Sequence, residues 1–135
     1  MNDSQEVMMH PYIDLLNELT QENLPVLTKR VLNTNPIAFE RLKVEKTEDS
    51  FIMVNVMDHC LAALMKCGDV VEEDMEEHIL VGVIQSGFMN LNPVLITMKA
   101  DDENERVYIQ LSARENYISQ HSVEKALKRF KEINY

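Results

Sequence analysis

The sequence predicts an α+β fold: an antiparallel sheet of about four or five strands packed against N-terminal helices and a C-terminal amphipathic helix. Three observations point there. Apolar residues recur at helical spacing near both ends of the chain, they alternate with period two in "PVLITMK" and "RVYIQLS", and polar or turn-forming stretches separate these segments. A chain of 135 residues with 45% apolar content can build one core without disulfide or metal support. The expected domain spans 1–135, with residues 1–9 as a candidate disordered segment.

The first helix is expected over Pro11 to Glu22, where Tyr12, Leu15, Leu16 and Leu19 share a face and Pro11 suits a first helical position. A second, short helix follows with Asn23 as its cap and Leu24, Leu27 and Val31 on one side. "NTNP" then breaks the chain. From Ile37 to Glu45, Leu42 and Val44 alternate with Arg41, Lys43 and Glu45, the pattern of a half-buried strand. "KTED" reads as a polar turn and "SFIMVNV" as a second strand paired back on the first, giving a hairpin over 37–56.

Met57, Cys60, Leu61 and Leu64 form the face of a further helix that Asp58 can cap and Gly68 can end in a left-handed conformation. Residues 72–87 fit a helix by spacing, but the β-branched run Ile79 to Ile84 favours a strand after an acidic turn. The clearest β signal is the hairpin over 93–112, with "ADDENE" as its connection. The chain closes on "SVEKALKRFKEI". Ser122 suits a cap there, and Val123, Ala126, Leu127, Phe130 and Ile133 form the apolar face.

Composition narrows the function classes. A net charge of −10 and a pI near 4.8 disfavour binding to a phosphate backbone. Charge is uneven along the chain: residues 69–105 carry ten acids against one base, Lys99, whereas 106–135 carry six bases against three acids. A basic region followed by an apolar core is missing from the N-terminal residues, and no apolar run approaches the roughly 20 residues of a membrane span. With two cysteines and no secretory context, the expectation is reduced thiols, a cytoplasmic protein and no membrane partner.

No motif names a chemistry. On one helix, Cys60 and Cys67 would lie roughly 10 Å apart, too far for a disulfide. Their spacing also misses that of zinc ligands. Cys60 is the candidate nucleophile, because it falls in a predicted first helical turn and His10, His78 or His121 could approach it after folding. "DDENE" lacks the ligand pattern of a calcium loop, and Gly68, Gly82 and Gly87 form no phosphate cradle, so no metal or cofactor is implied.

The expected function is a non-enzymatic protein-binding domain of adaptor, chaperone or inhibitor type. Its partner would be a basic protein, met by an acidic, methionine-containing surface made of Glu72, Glu73, Asp74, Glu76, Glu77 and Met89. Met8 and Met9 are further candidates for exposed apolar contact. The alternative is a small-ligand sensor or cysteine-dependent enzyme with a pocket near Cys60. A homodimer is compatible with either, since sheet edges need protection.

Overall fold

The computed structural model describes residues 10–31 and 34–134. In chain order they form α1 (Ile13–Asn23), α2 (Pro25–Arg30), α3 (Pro36–Glu40), β1 (Lys43–Ile52), α4 (Val56–Cys67), β2 (Asp69–Asp74), β3 (Ile79–Ser86), β4 (Asn92–Asp101), β5 (Arg106–Glu115) and α5 (Ser122–Asn134). The strands make one antiparallel sheet in the order β1-β5-β4-β3-β2. The α+β architecture is therefore as the sequence predicts. The candidate disordered segment, with Met8 and Met9, lies outside the described residues.

Period-two alternation sends successive side chains to opposite faces of the sheet, and helices cover both. Val94, Ile96, Met98, Val107, Ile109 and Leu111 join Cys60, Leu64, Val123, Ala126 and Phe130 in a core beneath α4 and α5. Leu95, Val81, Val83 and Tyr108 meet Leu16, Leu19, Leu24, Leu27 and Phe39 in a second core beneath the N-terminal helices. The second core also buries polar groups. Thr20 Oγ1 donates to Gln110 Oε1 at 2.5 Å, and Gln110 Nε2 donates to Asn17 Oδ1 and Glu48 Oε2, each at 2.8 Å. Such a network holds α1 against β5 without leaving the Gln110 amide unsatisfied.

The structure corrects several local expectations. There is no hairpin over 37–56. Pro36–Glu40 is a short helix, because Asn35 Oδ1 accepts from the amides of Ile37 and Ala38 at 2.9 and 3.2 Å and Pro36 opens the first turn. "KTED" runs straight through β1, where ten consecutive residues pair with β5. Pairing partners outweigh the local turn preference of a polar stretch that holds no glycine. The strand stops at Ile52, and helix α4 begins at Val56, preceded by Asn55 in the left-handed region at φ 49°.

Three expected caps are also replaced: Asp58 stands in the first turn of α4, whose cap position is held by Asn55, and Asn23 and Gly68 take other roles. Asn23 donates to the Leu19 carbonyl instead of opening α2, whose cap position is held by Leu24. Gly68 is extended, not left-handed; it is required because a Cβ there would lie 2.2 Å from the Val83 carbonyl oxygen. At the start of α5, the buried Glu115 carboxylate accepts from the amides of Gln120 and Ser122 at 3.1 and 3.0 Å, and Ser122 Oγ accepts from Asn92 Nδ2. β5 itself thus supplies negative charge to the helix start.

Two substitutions test this packing. Gly82→Ala places a Cβ 2.5 Å from Leu64 Cδ2 and 2.7 Å from the Asp69 carbonyl; urea unfolding is expected to show a loss of about 1–3 kcal/mol. Glu115→Ala removes both charge-assisted bonds at the helix start and is expected to cost about 2–4 kcal/mol, with Glu115→Gln recovering part of it.

Candidate functional site

Strands β2 and β3 meet at the turn Met75–His78, and β4 and β5 meet at Asp102–Glu105; both turns sit at the same end of the sheet. Aspartates shape each turn. Asp74 Oδ1 accepts from the Glu77 amide at 3.0 Å, and Asp101 accepts from the Asn104 amide and side chain at 3.3 and 2.8 Å. The turns are then joined to each other. The Ala100 amide donates to the His78 carbonyl at 2.9 Å, and His78 Nδ1 lies 2.7 Å from Asp102 Oδ2. A third segment is tied in where the Met53 amide donates to the Glu105 carbonyl at 2.8 Å.

These three segments enclose a groove of about 410 Å³ lined by Asn55, Met57, Asp58, Met75, His78, Asp102 and Glu105. Three of the lining residues, Asn55, His78 and Glu105, adopt left-handed backbone at φ 49°, 58° and 50°. Each costs free energy that the surrounding hydrogen bonds must offset. Acids that are far apart in sequence therefore share this end: Asp58, Asp102 and Glu105 line the groove, while Asp74 at the end of β2, Glu76 and Glu77 in its turn and Glu103 in the other turn lie outside the lining. Two bases stand near this end: Arg106, opposite Asp101 in register, donates to Ser50 Oγ at 3.0 Å, and Lys99 donates to the Glu77 carbonyl and lies 5.5 Å over the Tyr12 ring. Burial and the Asp101 carboxylate together hold the Tyr12 hydroxyl above its ordinary pKa.

The sequence-predicted contact residues do not all meet. Glu72 and Glu73 are exposed on the edge strand β2, and Glu76 and Glu77 are exposed in its turn, with Asp74 half-buried between them. Met89 sits at the opposite end of β3, 73% exposed, beside Phe88 at 71%. The methionines that share the acidic end are Met75, at 51% exposure, and buried Met57. Periodicity marked Met57 as core and gave no sign that it would floor a groove. The signal for Asp58, Asp102 and Glu105 was their charge alone, which says nothing about which runs fold together.

Cys60 is in the core at 1% exposure, its thiol 3.7 Å from Met53 Sδ, and burial pushes its pKa up to about 12. His59 Nδ1 is 2.6 Å from the Val54 carbonyl oxygen, His78 faces Asp102, and His121 lies 3.9 Å from Glu124. Burial also raises the Cys67 pKa, against the lowering influence of Arg129. Among the described residues no group of three or more His, Cys, Asp or Glu side chains is arranged to hold a metal ion. No described helix is long and apolar enough to cross a membrane.

Comparison with protein-family models, characterised proteins and solved structures gives no match.

The environment of Cys60 makes a kinetic prediction. A thiol moved from 9.0 to about 12 holds about a thousandth of the thiolate of an unperturbed one at pH 8. Iodoacetamide labelling mapped by mass spectrometry should therefore be slow at Cys60 in the native chain and ordinary in urea. Because the folded pKa lies above the unfolded one, this thiol also weakens the fold as pH rises from about 9 towards about 12.

Proposed function

We propose that the chain is a non-enzymatic protein-binding domain, of adaptor, chaperone or inhibitor type, whose acidic end receives a basic segment of another protein. The observation that carries this reading is that two acidic turns, distant in sequence, are joined through His78 and Asp102 at one end of the sheet, beside a groove lined by Asp58, Asp102, Glu105 and two methionines. A lysine or arginine side chain joins an aliphatic stem to a cationic head. The groove offers both complements: thioethers at Met57 and Met75, and carboxylates at Asp58, Asp102 and Glu105. Flexible thioethers adapt to stems of different shape, and the summed negative charge steers a cationic partner to this end.

The cysteine environment supports the non-enzymatic side of the reading. A core thiol with a raised pKa, facing a thioether, is a poor nucleophile.

Two experiments test the proposal. Affinity purification of the tagged chain from its native host, at about 0.05 and about 0.5 M salt, should yield a stoichiometric basic protein that is lost at the higher salt. With that partner in hand, Glu76→Lys combined with Glu103→Lys, both exposed, should slow association by about tenfold or more while leaving the urea midpoint unchanged. Association rates that ignore both salt and charge reversal would remove the acidic end from the account.

A further inference from the structure

The end of the sheet remote from the acidic turns holds a different kind of site. There the end of α2, helix α3, the end of β5 and the β3–β4 connection enclose a cleft of about 230 Å³. Val31, Phe39, Leu42 and Leu91 form its apolar side. Thr34, Asn92, Arg114, Asn116 and Gln120 form a polar side of similar extent, with the Asn92 amide already engaged by the Arg114 carbonyl and Ser122 Oγ. Arg114 is half-buried at the end of β5, opposite Val44 in the strand register. Among the described residues its guanidinium makes one hydrogen bond, from Nη1 to the Leu42 carbonyl at 3.0 Å, and its buried Nε has no partner. Arg30 and Arg129 are better matched: Arg30 pairs with Asp69 at 2.7 Å, and Arg129 donates to the Gln85 carbonyl and to Asn90 Oδ1.

The neighbouring carboxylate does not help Arg114. Glu115 is the next residue on the strand, so it points to the opposite face, where it holds the start of α5. A guanidinium offers five donors in a planar fork that matches a carboxylate. Withdrawing that charge from water without an anion is unfavourable, and an anionic ligand would offset the cost. The apolar side formed by Val31, Phe39, Leu42 and Leu91, next to an unmatched guanidinium, suits a ligand with a small apolar body and one carboxylate, and the remaining polar lining can accommodate the carboxylate end. The volume lies below the ~300–1,000 Å³ of drug-sized pockets, so the group that enters is small.

We propose that this cleft binds a small apolar carboxylate, with Arg114 holding the carboxylate and Phe39, Leu42 and Leu91 contacting the body. That chemistry has two sources: a free carboxylic acid, or the C-terminal residue of a peptide. The site is independent of the acidic end, and its test does not depend on the protein partner.

The test is a titration of the ¹⁵N-labelled full chain followed by amide chemical shifts. The probes are phenylacetate and 4-methylpentanoate as free acids, N-acetyl-glycyl-leucine as a chain terminus, and phenylacetamide as the uncharged control. Saturable shifts at Phe39, Leu42, Leu91 and Arg114 are expected with carboxylates and not with the amide. A response to free acids alone assigns the small-molecule source, and a response to the peptide alone assigns the chain terminus. No saturable shift with any carboxylate, or equal binding of phenylacetamide, overturns the proposal.

Arg114→Gln should weaken binding by about tenfold or more with the spectrum otherwise retained. Should that variant lose its fold, Leu91→Asp serves instead: Leu91 is 49% exposed at the rim, and a carboxylate there competes for the guanidinium. Its affinity should fall by a similar factor, and undiminished binding would overturn the assignment. Glu76→Lys with Glu103→Lys should leave carboxylate binding unchanged.

Discussion

The structure depends on a sheet whose middle is buried on both faces. Strand β4 shows this most fully, since every residue from Asn92 to Met98 is buried. A strand in that position must be apolar towards two helical layers at once, and any polar group it carries must find a partner inside. Thr97 meets this demand by reaching Gln110 and Thr20, and Asn92 by donating to the Arg114 carbonyl and Ser122 Oγ. Charge is consequently excluded from the middle of the molecule and displaced to its rims and its two ends.

The edges show the same pressure. β2 is short, carries a register shift between Val70 and Glu72, and exposes Glu72 and Glu73. β1 is longer but presents Lys43, Lys46 and Glu48 to solvent along its length. Both are devices that discourage strand-to-strand addition from another chain. They also explain why β1 reads poorly as a strand in the sequence: its outer position is chosen for charge, and its pairing with β5 holds it extended.

The two ends of the sheet acquire opposite characters through connection chemistry. At one end, aspartate-stabilised turns bring together acids, a histidine and methionines. At the other end, Arg114 reaches the Leu42 carbonyl and Arg129 the Gln85 carbonyl, and loops expose Phe88, Met89, Tyr117 and Ile118. The chain's acidic balance is therefore unevenly placed, with most of the acids of 72–105 gathered at one end of the sheet.

Sequence pattern was enough for the fold class, for strands β4 and β5, and for helices α1, α4 and α5 to within a few residues at their ends. These elements carry strong periodicity on buried faces, and burial dominates local preference. Over 72–87, spacing fitted a helix and composition only favoured the strand that became β3. Strands β1 and β2 and helix α3 were misread: charged edge strands have little alternation, so Glu72 to Asp74 read as part of an acidic turn, and a two-bond asparagine cap outweighs a three-residue pattern. The acids of the candidate site were visible as charge, but only the pairing of β3 with β4 placed 72–77 beside 101–105 and sent Met89 to the far end. Likewise, nothing local distinguishes Arg114 from the other arginines. Its unmatched guanidinium follows from strand parity, which turns Glu115 to the opposite face, and from the helices that close over Phe39 and Leu42.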